Sequence, residues 1–250
     1  MRPPVSIFQR RLSARAFLAV LGAVAAFSGC VIAHAQTPAA PHRGGRVAWA
    51  RLVTSDPHWQ RHSRSDADLS AFIRTQTSLN LEPTWYSAAP AQLDALCEYP
   101  LLFSTDVSAV TKPAEQANLR EYFARGGFML VDACINTKEV NPDPDAFLEA
   151  NRAAFRVLLP GVEFKPLATD HEIYRCYFKL KETPPHSFMD RIHDPKWARH
   201  PLYGVYHGER MVAVISLSGL QCGWDRMTDE SHAERCMQMV VNIYVHAMTR

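Results

Sequence analysis

From residue 46 onward, short apolar runs alternate with stretches whose apolar residues fall three and four apart, the patterns of strands and of amphipathic helices respectively. Arg46 to Val53 (RVAWARLV) is β-branched and aromatic enough for a first strand, and Ser65-Asp66-Ala67-Asp68 resembles a capping box opening a helix through Leu69, Phe72 and Ile73. Leu81 to Tyr86 predicts a short strand that Pro83 confines to a sheet edge. Pro90 opens a short helix through Leu93 and Leu96, and Leu101 to Thr105 is the apolar run of a buried parallel strand. The clearest unit follows. Thr111 is placed to cap a helix through Glu115, Leu119, Tyr122 and Phe123, Gly126-Gly127 ends it, and Phe128-Met129-Leu130-Val131 is a strand closing at Asp132.

Asp145 to Leu159 predicts a further helix with Phe147, Leu148, Phe155 and Leu158 inward, and Val162 to Leu167 a further strand. Lys181 to Pro201 is rich in Pro and His and has no period, so it reads as a long surface excursion. Leu202 to Tyr206 and Met211 to Leu217 flank His207-Gly208-Glu209-Arg210 as a β-hairpin. Ser231 then caps a terminal helix with Cys236, Met239, Val240, Ile243 and Tyr244 on one face. Strands alternating with helices predict an α/β fold, a doubly wound and mostly parallel sheet with helices on both faces, followed by the hairpin and the terminal helix.

The first 35 residues stand apart. Arg2, Arg10, Arg11 and Arg15 precede the apolar run Ala16 to Phe27, and Ala33-His34-Ala35 is a small-x-small cleavage pattern. The run is shorter than the roughly 20 residues a membrane-spanning helix needs. Residues 1–35 are therefore read as a cleaved signal peptide, 36–45 as a flexible lead-in and 46–250 as a single domain, exported to the periplasm by the Sec or the twin-arginine route. Phe27-Ser28-Gly29-Cys30 resembles a lipoprotein box, but Phe27 stands where an aliphatic residue is usual, which places acylation of Cys30 second.

Cleavage removes four positive charges and no acid, which takes the formal net charge of +2 to −2. Charge is mixed along the remaining chain with no basic cluster, so nucleic acid is excluded as a partner, and no permanent membrane span is left. Cys97, Cys134, Cys176, Cys222 and Cys236 remain, enough for two disulfides with one thiol over. No CxxC pair is present, so neither a redox motif nor a zinc ribbon is supported, and no cofactor or metal is called for.

Several stretches together resemble one bacterial family, the domain of unknown function 4159. They are WARL (Trp49 to Leu52), YPLLFSTD (Tyr99 to Asp106), LREYFARGGFMLVDAC (Leu119 to Cys134), DHEIY (Asp170 to Tyr174), PLYGVYHGERMVAVIS (Pro201 to Ser216), Gly223-Trp224 and VVNIYVHAMTR (Val240 to Arg250). The resemblance implies the superfamily similar to class I glutamine amidotransferases, with a flavodoxin-like three-layer sandwich. It implies no agreed activity. Two departures bear on the site: Thr105-Asp106 stands where many members have Gly-His, and Glu172 where many have Pro.

In open parallel sheets ligands bind beyond the carboxyl ends of the strands, where Asp106, Asp132 and Cys134 are expected. The superfamily's pairing of a nucleophilic Cys with a His and a Glu suggests Cys134 and His171 as catalytic, with Glu172 behind them. Against this, Ile135-Asn136 after Cys134 lacks the small residues of a nucleophile elbow, and adjacent His171 and Glu172 in a strand would face opposite ways. Asp132 closes an apolar strand and needs a partner, either a ligand or the following turn. Asp170 is placed to orient His171. His186, His193, His200 and His207 recur every seven residues, but Pro184, Pro185, Pro195 and Pro201 forbid a helix that would align them. Trp59, Trp85, Trp197 and Trp224 offer either a sugar-stacking surface or core anchors. The sequence thus supports an exported domain that binds a small ligand or an envelope protein at Asp106, Asp132 and Asp170. The alternatives are a hydrolase or amidotransferase-like enzyme acting on an envelope carbohydrate or amide, and a scaffold in an envelope complex.

Overall fold

The apolar runs assemble into one sheet of seven strands in the order β2-β1-β3-β4-β7-β6-β5. The strands are β1 (Ala50–Leu52), β2 (Tyr86–Ala88), β3 (Leu101–Ser104), β4 (Phe128–Asp132), β5 (Glu163–Pro166), β6 (Tyr203–His207) and β7 (Arg210–Ser216). The helices are α1 (Asp66–Gln76), α2 (Leu93–Cys97), α3 (Pro113–Ala124), α4 (Pro144–Leu158), α5 (Leu220–Trp224) and α6 (Glu230–Thr249). The computed structural model describes residues 46–134, 143–181, 184–185, 200–225 and 230–249, so the signal and lead-in segments and most of the Lys181 to Pro201 excursion lie outside the described residues.

Alternation along each strand sends side chains to opposite faces. Phe128 and Leu130 of β4 join Trp49, Leu101 and Phe103 under α1, α5 and α6. Met129 and Val131 join Ala50, Leu102 and Ile215 under α2, α3 and α4. The result is a three-layer α/β sandwich. Strands β2, β1, β3, β4 and β7 run parallel, and β6 is antiparallel to both of its neighbours. The predicted hairpin forms as β6 and β7 and joins the sheet: Met211 to Ser216 of β7 is buried throughout, and such a strand needs cover on both faces, which it finds beside β4. Among the described residues no helix is long and apolar enough to cross a membrane.

Two caps differ from the sequence reading. Thr111 does not cap α3; Lys112 is the cap residue and Pro113, which has no N–H to satisfy, opens the helix. Ser65 precedes α1 but makes no capping bond, because its hydroxyl is used elsewhere. By contrast, Asp143 caps α4 through the N–H groups of Asp145 and Ala146.

Candidate functional site

Around β1 a buried polar network fixes the loop that follows. Arg51 and Asp66 are both fully buried and joined by two bonds, Nε to Oδ2 at 2.5 Å and Nη2 to Oδ1 at 2.7 Å. Trp49 and Trp224 donate their indole N–H groups to the same carboxylate, at 2.9 and 3.3 Å. Nη1 of Arg51, the remaining end of the guanidinium, takes the backbone carbonyls of Trp59 and Arg61 at 3.2 and 2.9 Å. The next residue, His62, has φ 59° and ψ 12° and is the one non-glycine among the described residues with positive φ. A side chain held in that region is aimed by its surroundings rather than by local preference.

His62 is aimed at Cys134. Its Nε2 lies 3.7 Å from Cys134 Sγ, and its Nδ1 is bonded to Asp225 Oδ2. Ser65 donates its hydroxyl to the other oxygen of Asp225. A nitrogen of His62 and the Sγ atoms of Cys134 and Cys222 all lie within 4.8 Å of one another, and the cysteines are thiols. Cys134 is 1% exposed and Cys222 fully buried, while the side chains of His62 and Asp225 are 10% and 23% exposed. Burial by itself would lower the His62 pKa, but its bonds to Cys134 and Asp225 outweigh this and hold the imidazolium above its ordinary range. The arrangement can take a proton from a thiol and hold it on an imidazole backed by a carboxylate.

Three parts of the chain build the cluster. His62 comes from the loop after β1, Cys134 lies just beyond β4, and Cys222 and Asp225 lie in and just after α5, which follows β7. Asp132 sets α5 in place. Its Oδ1 and Oδ2 accept the N–H groups of Leu220 and Gln221 at 3.0 and 2.9 Å. Burial pushes its carboxyl up to about 7, against those two bonds, which favour the charged form. Asp132 is thus satisfied by the start of α5, the helix that follows β7.

The other expected site residues lie apart. Asp106 caps a short 3-10 turn at the end of β3 by accepting from Ser108 N–H at 2.8 Å, and burial raises its pKa. His171, expected on Cys134, is not brought to it. Its Nδ1 accepts from Ile173 N–H at 3.2 Å, and its ring lies 6.1 Å from that of His246. His246 packs 6.2 Å from Phe128, the first residue of β4, whereas Cys134 lies six residues beyond Phe128. That separation is roughly 20 Å along a strand. Burial lowers the His171 pKa, and Glu172 pairs with His246 at 3.5 Å. Asp170 is exposed. Trp224 is buried against Trp49 at 5.9 Å, while Trp59 and Trp85 are half-buried. His186, His193 and Trp197 lie outside the described residues.

His62, Cys222 and Asp225 escape a reading of periodicity and motif. The available signal is indirect: Cys134 and Cys222 each follow a fully apolar run, and both runs become neighbouring central strands. Nothing local marks His62, which follows two polar residues in an irregular loop.

The family model described as domain of unknown function (DUF4159) matches residues 48–248, which include every residue of this cluster. No functionally curated protein matches the chain.

Proposed function

The chain belongs to the DUF4159 family, and we propose that it is an exported, amidotransferase-like member whose working site is Cys134–His62–Asp225, a thiol site that hydrolyses or transfers an acyl group of an envelope amide. The observation that carries the reading is His62 bridging Cys134 Sγ on one ring nitrogen and Asp225 on the other. In this scheme His62 Nε2 takes the Cys134 proton, and the thiolate sulfur bonds to the acyl carbon. The amine leaves with the proton that His62 returns to it, and water, giving a proton back to His62, releases the acid and restores the thiol. Asp225 acts by holding His62 in the tautomer with Nδ1–H toward the carboxylate and by stabilising the imidazolium. Ser65 steadies Asp225.

The test uses the mature chain, residues 36–250. Iodoacetamide labelling at Cys134, mapped by peptide mass, should proceed below the pH where an ordinary thiol reacts, and p-nitrophenyl acetate turnover should vanish in Cys134→Ala and fall at least a hundredfold in His62→Ala. Labelling with an ordinary thiol pH profile, together with turnover indifferent to Cys134, would overturn the reading.

A second reading, capture of a ligand without turnover, is favoured by the burial of the thiol at 1% exposure. Thr105 Oγ1, Ser218 Oγ and Gln221 Oε1 are buried along the carboxyl edge of β3 and β7 without a hydrogen-bond partner among the described residues, and such atoms call for a bound polar group or water. Asp106 and Asp132 stand on that edge as the residues that would order it, with Asp170 exposed elsewhere. Calorimetric titration with a library of small envelope saccharides and peptides, with Asp106→Asn as the comparison, tests this reading.

A further inference from the structure

The thiol reading uses Cys134, His62 and Asp225 and gives Cys222 no task, although its buried sulfur stands within 4.8 Å of Cys134 Sγ and of a His62 ring nitrogen. We propose that His62 Nε2, Cys134 Sγ and Cys222 Sγ form a binding site for one thiophilic divalent cation, zinc foremost, and that a bound cation switches the thiol site off. The second half of the proposal rests on the thiol reading; the first does not.

Geometry and donor chemistry carry the site. Tetrahedral zinc with Zn–S near 2.3 Å and Zn–N near 2.0 to 2.1 Å places its donors about 3.5 to 3.8 Å apart. Cys134 Sγ and His62 Nε2 already stand at 3.7 Å, and all three donors fit within 4.8 Å. Two thiolates and an imidazole are the soft and borderline set that selects zinc over calcium or magnesium. The tautomer is also set, since Asp225 on Nδ1 leaves Nε2 to bear the lone pair, the carboxylate–imidazole–metal relay found behind zinc ligands. The three donors come from separate elements, each independently braced: His62 by Arg51 on the carbonyls of Trp59 and Arg61, Cys222 by Asp132 on α5, and Cys134 by the backbone ladder, which Ala133 N–H extends to Ser216. Both cysteines enter as thiols, so binding a dication releases their two protons to solvent, together with the Nε2 proton wherever His62 carries one, and leaves a neutral M(S)₂ unit in a buried setting. Three protein donors leave a fourth position for water or for a ligand atom. A cation-bound Cys134 sulfur has its electron pair engaged and cannot attack a carbonyl, so loaded and reactive forms exclude each other.

The experiment is a titration of metal-stripped, reduced mature chain with Co²⁺ and then Zn²⁺ near neutral pH, read by absorption. One equivalent of Co²⁺ should bring in thiolate-to-cobalt charge transfer and the strong visible bands of a tetrahedral site, and one equivalent of Zn²⁺ should remove them. Zn²⁺ should suppress iodoacetamide labelling of Cys134 at least tenfold, and a chelator should restore it. Cys222→Ser should weaken binding at least tenfold, Asp225→Asn by about 10 to 100-fold, and Cys97→Ala, an exposed thiol at the end of α2, should leave it unchanged; circular dichroism of each variant separates lost binding from lost fold. Absence of the charge-transfer band, binding unaffected by Cys222→Ser in a folded variant, or Cys134 labelling unprotected by Zn²⁺ each overturns the site. One-equivalent binding combined with an ordinary thiol pH profile in the stripped protein keeps the cation site and removes the thiol enzyme, so the two readings fail separately.

Discussion

Arg51 and Asp66 meet through two parallel hydrogen bonds with neither side chain exposed to solvent, and the same guanidinium holds the carbonyls of Trp59 and Arg61 just ahead of His62. Arg51 therefore has a part in the core and a part in positioning. Arg51→Met leaves the buried Asp66 charge with two indole N–H donors but no cation and should cost about 3 to 5 kcal/mol in chemical denaturation. Adding Asp66→Leu should recover much of that loss, because an apolar pair can replace a buried ion pair, yet the early-pH labelling of Cys134 should stay lost. Recovery of both together would confine Arg51 to the core.

Asp132 gives stability a pH dependence with a definite sign. Its folded pKa is about 7 against an ordinary 3.8, so the folded chain binds this proton more tightly than the unfolded chain does. The stability it contributes is complete below the ordinary value and is lost as pH rises from about 4 through about 7. The difference in urea midpoint between wild type and Asp132→Asn should shift steadily against the wild type over that range and level off above it. A constant difference from pH 4 to 8 would show that the carboxyl titrates normally.

Gly223 lies between the two residues that α5 gives to the cluster, and a Cβ there would stand 2.3 Å from Cys236 Sγ and 2.6 Å from its Cβ. Gly223→Ala should therefore push α5 from α6, costing about 1 to 3 kcal/mol and slowing Cys134 labelling. Thermal melts and the labelling rate check both effects. An unchanged melt would mean that α5 yields without loss.

In the thiol reading Asp225 helps His62 to accept a proton, since its bond raises the His62 pKa. With Asp225→Asn the imidazolium loses its carboxylate, so the proton leaving Cys134 finds a poorer acceptor. The midpoint of Cys134 alkylation should move up by about one pH unit, with little change in melting temperature because Asp225 is partly exposed. A downward shift, or none, would separate Asp225 from the thiol.

The alternation of strands and helices was legible because each segment carries its own period: Phe128 to Asp132 is a strand and α4 an amphipathic helix in the sequence as in the fold. Neighbour relations were not. No local pattern says that β7 lies beside β4, so the partner of Asp132 had to be found on α5 and that of Cys134 on a loop 72 residues earlier. Ser65 shows the same limit from the other side. Its spacing to Asp68 satisfies the capping pattern, but Asp225 is a competing acceptor that only the folded chain presents. Cys134 was visible as a strand-end thiol; His171 was drawn to it by family resemblance, while the fold turns that segment back toward the start of β4.

The distance along the chain between His62 and Cys134, and onward to Cys222, means that the cluster has no local precursor. Any chain that has not yet closed its central sheet holds these donors tens of residues apart, at the dilute effective concentrations of long loops. Whatever binds all three at once therefore favours the folded ensemble over the unfolded one by mass action. Occupancy of this small group of atoms would report whether the whole molecule has finished folding.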